Sequence, residues 1–130
     1  MTRLPQPPEG ETLDQVTGEW WLYQLRRGHR FSTDDVVTGW TAGMKRPDAR
    51  RLIDLGAGVG SVGLMTLHFM DPEATSVFVE AQAVSHQLCR KTIDLNGLGH
   101  RVELRHGDLR SAEAVPETAL FDLVTGSPPY

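Results

Sequence analysis

The sequence has one cysteine, Cys89, in 130 residues, so no internal disulfide can form and a disulfide-stapled fold is excluded. It also lacks an apolar run that could cross a bilayer, for which roughly 20 consecutive apolar residues are needed. Its start, Met1-Thr2-Arg3-Leu4-Pro5, leads into prolines where a secretory signal would have an apolar segment. A cytoplasmic protein with no membrane partner is expected. Positive charge is short as well: 13 Lys and Arg face 17 Asp and Glu, for a formal net charge of -4. That excludes a protein that grips nucleic acid with its whole surface, though not one with a local basic patch. Two such patches are candidates, Arg26-Arg27-Gly28-His29-Arg30 and the set Arg101, Arg105, His106 and Arg110. Arginines spaced this way occur more often on a solvated face. Cys89 lies in a predicted helix with only Arg90 and Lys91 as cationic neighbours, so buried packing is expected in preference to thiol chemistry.

What is present suits one soluble domain, with 39% hydrophobic and 23% charged residues and no internal repeat. Residues 1–11, with Pro5, Pro7, Pro8 and Gly10, read as a flexible tail. Residues 12–47 read as a hairpin and a helix. The hairpin runs from Leu13 to Leu25 around a Thr17-Gly18 turn and carries the strand formers Trp20-Trp21-Leu22-Tyr23. The helix starts at Ser32-Thr33-Asp34-Asp35, carries Val36, Val37, Trp40 and Met44, and stops before Pro47. Residues 48–130 alternate between strand and helix. Strands are predicted at Arg51–Leu55, Ser76–Glu80, Val102–Leu104 and Leu120–Thr125. Helices are predicted at Ser61–Met70, Gln82–Leu95 (closed by Asn96-Gly97) and, in short form, near Ser111–Val115. Strict alternation implies a doubly wound, Rossmann-like α/β fold with a parallel sheet.

The chemistry-bearing residues fall at the ends of these strands. Asp54-Leu55-Gly56-Ala57-Gly58-Val59-Gly60 occupies a strand-to-helix turn, where glycines let the backbone approach a ligand and the helix start offers free amides. Gly58 to Gly63 also fits G-x-G-x-x-G, and Glu80 follows about twenty residues later, as a ribose-binding acid would. Alone, the segment is open to NAD(P), FAD or S-adenosyl-L-methionine. Asp54 tilts it toward the last, because a carboxylate would repel a pyrophosphate but can bond an ammonium, directly or through water. Glu80 suits a ribose diol, and Asp108 with the amide of Leu109 suits an adenine edge. At the fourth strand end, Ser127-Pro128-Pro129-Tyr130 offers a polar acceptor, proline carbonyls without a competing N–H, and a ring to stack on a planar substrate. Such a segment suits methylation of a planar amino or amide nitrogen, in which positioning does most of the work.

Together these residues resemble the class I S-adenosylmethionine-dependent methyltransferases of the N-P-P-Y type. Gly28-His29-Arg30-Phe31-Ser32-Thr33-Asp34, the Asp54–Gly60 turn and Phe121-Asp122-Leu123-Val124 are most similar to the bacterial adenine-N6 methyltransferases of valine tRNA. The resemblance implies that Asp54, Gly56, Gly58 and Gly60 line the methionine end of the cofactor, Glu80 the ribose, and Asp108 and Leu109 the adenine. Phe31, Thr33 and Asp34 would border that pocket, and Ser127, Pro128, Pro129 and Tyr130 would hold the target nitrogen. No metal ligands are implied. The sequence departs from the family in having Ser127 where Asn is usual, which leaves the choice of base open. The resemblance also implies only the first four core strands, so the fourth would offer an open edge to a second copy or a complementing chain. The leading expectation is methylation of adenine N6 in tRNA. Protein glutamine or a DNA base as substrate, a non-catalytic cofactor-binding or scaffold module, and an NAD(P) oxidoreductase are the rivals.

Overall fold

The computed structural model describes residues 3–118 and 120–126. Strands β1 (Glu11–Gln15) and β2 (Trp21–Leu25) form an antiparallel hairpin, followed by helix α1 (Thr33–Lys45). The alternating part consists of β3 (Arg51–Leu55), α2 (Ser61–Phe69), β4 (Thr75–Glu80), α3 (Ala83–Leu95), β5 (Val102–His106) and β6 (Leu123–Gly126). Its strands form one parallel sheet in the order β5-β4-β3-β6. The chain thus steps outward from β3 through β4 to β5 and then crosses to the other side of β3. The order reverses between β3 and β6, and open α/β sheets bind their ligands outside the carboxyl ends of the strands at such a point. Within the sheet, Asp54 of β3 sits beside Phe78 of β4 and Thr125 of β6.

One face of the sheet carries the main core. Leu52, Phe78 and Leu104 of the sheet meet Leu64 and Leu67 of α2, Cys89 and Ile93 of α3, and Leu22 of the hairpin. Each such large apolar side chain contributes roughly 1.5–3 kcal/mol on burial. The opposite face has a smaller cluster, Ile53, Val77, Val79 and Ala114, with Leu55, Val115 and Phe121 against it. The hairpin is fastened to α3 by side chains that complete its edge. Thr92 Oγ1 accepts from the Tyr23 amide at 2.9 Å, and Asn96 both accepts from the Trp21 amide at 3.0 Å and donates to its carbonyl at 2.6 Å. A β-edge that would otherwise bury unpaired groups is satisfied in this way.

Two expected elements differ, and helix α1 lies where expected with a packed face that its sequence does not show. The segment 111–115 forms successive turns and no helix: Asp108 and Ser111 bond the amides of Arg110 and Glu113 through their side chains, a local alternative to helical pairing, and Pro116 follows. The last strand starts at Leu123, not Leu120, because the Asp122 carboxylate first accepts the amides of Arg50 and Arg51, at 2.9 and 3.1 Å. Helix α1 turns Asp35, Gly39 and Gly43 inward, while Val37, Trp40 and Met44 are about half exposed. The inward glycines let α1 lie directly on α2. A Cβ on Gly39 would stand 2.6 Å from Met65 Cβ, and one on Gly43 would stand 2.6 Å from Phe69 Cβ.

On an exposed helix face, replacing Gly by Ala stabilises by about 0.5–1 kcal/mol. Gly39→Ala and Gly43→Ala are expected to do the reverse, each costing about 1–3 kcal/mol by forcing the helices apart. Urea denaturation of the variants measures this, and unchanged or raised midpoints would show that α1 does not pack as closely as described.

Candidate functional site

The site is built at the carboxyl end of β3. The backbone leaves the strand through Gly56, whose amide donates to Val79 O at 2.9 Å, as does that of Ala57. Gly58 and Gly60 then take φ values of 58° and 101°, a region that residues with a Cβ rarely adopt, and Gly60 opens α2. A Cβ on Gly56 or Gly58 would meet nothing within 4 Å, so the space over the turn is open. Beneath it the packing is tight: a Cβ on Gly63 would stand 2.4 Å from the Phe78 ring and 3.0 Å from Asp54 Oδ2.

Asp54 is 1% exposed. Its Oδ1 accepts a hydrogen bond from Thr125 Oγ1 at 2.9 Å, while its Oδ2 is buried with no hydrogen-bond partner. Burial pushes its pKa up to about 7, against the pull of the Thr125 hydroxyl and the Gly63 amide, and the negative charges of Asp35 and Glu80 push the same way. No cation is among these groups. Glu80, buried at the end of β4, is held by two amides: Gly58 N–H donates to Oε1 at 2.7 Å and Gln82 N–H to Oε2 at 2.9 Å. Each oxygen can still accept a second bond. The loop after β5 adjoins it, since Gly107 N–H donates to the Glu80 carbonyl at 3.0 Å.

Of the residues expected from sequence, Asp54, Gly56, Gly58, Gly60 and Glu80 thus form one connected unit. Asp108 lies on the neighbouring loop beside exposed Leu109, but its carboxylate is clasped by the Arg110 guanidinium, Nη2 at 2.6 Å, which with the Arg110 amide holds its pKa down to about 2. Phe31 is packed against the core, and its amide donates to buried Gln24 Oε1 at 3.0 Å. Thr33 and Asp34 are exposed on the first turn of α1. The buried acid of that turn is Asp35, which accepts from Ser61 Oγ and from the Ser32 amide, both at 3.3 Å. Ser127, Pro128, Pro129 and Tyr130 lie outside the described residues.

Asp35, Ser61 and Thr125 were not singled out from sequence. The only signal was Asp35 three residues after the Ser32 cap, the spacing of a capping box. Cys89 is fully buried, and burial, with the Asp54 charge, pushes its thiol pKa far up, so it packs under Gly60 and does not ionise. Three arginines of the two candidate basic sets are engaged inside the molecule, while Arg26, Arg27, His29 and Arg110 are exposed. Arg30 donates to Leu25 O and Asp14, Arg101 to Ala74 O and Asp71 O, and Arg105 to Glu117. No helix of the described residues is long and apolar enough to cross a membrane.

The family model described as "Methyltransferase small domain" matches residues 31–130. A tRNA1(Val) (adenine(37)-N6)-methyltransferase of Flavobacteriaceae bacterium (strain 3519-10) is 30% identical over 109 residues, 84% of this chain and 45% of that protein. One of the same name from Shewanella sp. (strain MR-4) is 31% identical over 107 residues, 82% of this chain and 44% of that one. The chain therefore spans less than half the length of these curated relatives. The crystal structure of M. jannaschii TYW2 in complex with AdoMet matches with a TM-score of 0.73 at 16% identity, over 94% of this chain and 53% of that one. That likeness is one of fold, the class I, Rossmann-like methyltransferase fold.

The raised pKa of Asp54 has a signed consequence for stability. Below about pH 4 the folded and unfolded chains both hold the proton. Between there and about pH 7 only the folded chain holds it, so stability falls as pH rises, and above that the whole penalty is present. Asp54→Asn keeps an acceptor for Thr125 and removes the charge. Its melting temperature is expected to gain on the wild type from about pH 5 to about pH 8, by an amount equivalent to roughly 2–4 kcal/mol. Melting curves that stay parallel over that range would contradict the buried, poorly compensated carboxylate.

Proposed function

Because the chain belongs to the Methyltransferase small domain family, we propose that it binds S-adenosyl-L-methionine and takes part in methylating a planar amino nitrogen, the N6 of an adenine in tRNA. The observation that carries the cofactor half is Asp54 Oδ2, a buried acceptor with no hydrogen-bond partner near the end of β3, on the strand that runs into a glycine turn open at Gly56 and Gly58. A cationic amino group, direct or through one water, is the partner it lacks. Glu80, fixed by two backbone amides, fits a ribose diol, and the Asp54 carboxylate just before the glycine turn is a poor neighbour for a pyrophosphate. The residues present therefore fit this cofactor better than a dinucleotide.

When bound, the cofactor supplies an electrophilic sulfonium methyl whose leaving group already carries positive charge. What the chain adds is placement. Asp54 and the Gly56–Gly60 turn hold the amino-acid end, Glu80 the ribose, and the loop at Asp108 and Leu109 borders the adenine once Arg110 yields its hold on Asp108. Phe31, Thr33 and Asp34 are assigned the border of the pocket on their sequence pattern. Ser127 to Tyr130 are assigned the target nitrogen on their sequence pattern, with a serine hydroxyl in the accepting position. The tRNA substrate is supported by the names of the curated relatives. A cytoplasmic location agrees with that substrate. The open side of β6, which pairs only with β3 among the described strands, is where a second copy or a complementing chain would add a strand.

Calorimetric titration of the chain with S-adenosylhomocysteine tests the cofactor assignment. Affinity is expected to rise with pH up to about 7 as Asp54 ionises. Asp54→Asn should lose this pH dependence, and both it and Glu80→Ala should bind about tenfold or more weakly. No binding by the folded wild type would overturn the assignment. For the substrate, a methyl-transfer assay offering unmodified tRNA, DNA and protein should label tRNA, and label in protein alone would contradict the RNA reading.

A further inference from the structure

The two oxygens of Asp54 differ in their partners. Oδ1 receives the Thr125 hydroxyl at 2.9 Å, and Oδ2, which lies against Gly63, has no partner at hydrogen-bonding geometry. Thr125 is 6% exposed, and its place opposite Asp54 is fixed by the pairing of β3 with β6. Threonine is stiff at χ1, which restricts the directions its hydroxyl can take. We propose that Thr125 is a positioning residue for the amino-acid end of the cofactor: by occupying Oδ1 of Asp54, its hydroxyl leaves Oδ2 as the acceptor for the ammonium group. This rests on the cofactor reading above.

The surroundings make this one hydrogen bond matter. The charged or ionisable groups facing Asp54 are Asp35 at the start of α1, Glu80 at the end of β4 and the Cys89 thiol on α3. The two carboxylates disfavour a charge on Asp54, and only Thr125 and the Gly63 amide favour it. Without the hydroxyl, Asp54 would keep only the pull of the Gly63 amide, would hold its proton more firmly, and would lack a fixed orientation. Thr125 is also two residues ahead of Ser127 in the sequence, so the strand that leads to the proposed substrate-holding segment contributes directly to cofactor recognition.

The test compares two probes. S-adenosylhomocysteine carries the amino group, and 5′-methylthioadenosine lacks the whole amino-acid end. Thr125→Val removes the donor with little change of shape; it should weaken S-adenosylhomocysteine about tenfold and leave methylthioadenosine within about twofold. Thr125→Ser should restore wild-type affinity for both. Thr125→Ala gives the same contrast if the valine is not accommodated, and circular dichroism checks the fold of each variant. Equal loss of both probes would reduce Thr125 to a structural role and overturn the proposal, as would unchanged binding of S-adenosylhomocysteine. If the wild type bound neither probe, the cofactor reading itself would fall; wild-type binding with an indifferent Thr125→Val would sink the proposal alone.

Discussion

A carboxylate buried without a cation is the feature on which the rest of this molecule turns. Asp54 lies at the end of the central strand, in contact with a hydroxyl on β6 and beneath the first turn of α2. Taking a charge out of water is costly unless something replaces the lost hydration. Here the neighbours do so only in part, and two nearby acids make it harder. A fold optimised for stability alone would place an apolar or amide side chain there. Keeping an acid makes sense where a cationic ligand completes the arrangement, and functional sites are where such unfavourable groups collect.

The topology supplies that ligand with a place. Because the chain crosses from β5 to the far side of β3, the switch in strand order falls between β3 and β6, which stay paired as far as Leu55 and Gly126, and the glycine turn begins directly beyond that pairing. Positive backbone angles at Gly58 and Gly60 keep the turn low and free of side chains. Gly63 performs a different task under the same turn, letting α2 settle on Phe78 and Asp54. The hairpin and α1 then brace this region from outside. Gln24 holds the chain at Phe31, Arg30 ties the same segment to Asp14 and Leu25, and Asp35 reaches across to Ser61 at the head of α2.

The parallel sheet and the glycine turn could be read from sequence because each leaves a local signature: short apolar runs of strand formers, and glycines between a strand and a helix. Asp54 and Glu80 were legible for the same reason, since acids at successive strand ends are unusual and point to one edge of a sheet. What could not be read depends on tertiary register. Nothing local shows that α1 buries Asp35, Gly39 and Gly43 in preference to Val37, Trp40 and Met44, because the decision lies with the close approach of α2. Nor does the sequence around Thr125 show that its hydroxyl faces Asp54, 71 positions away. From sequence the arginine sets are candidates with a solvated face favoured, and their partners depend on tertiary contacts: Arg30, Arg101 and Arg105 are bound to carbonyls and carboxylates of the protein itself, while Arg26 and Arg27 are exposed.

The ionisation of the Asp54 carboxyl, followed by NMR on isotope-labelled protein with and without S-adenosylhomocysteine, reports on the central claim without passing through activity or stability. The account predicts a titration near pH 7 in the free chain, displaced downward by at least about one unit when the ligand's amino group arrives. An Asp54 that titrates near its ordinary value of 3.8 and does not respond to the ligand would contradict it.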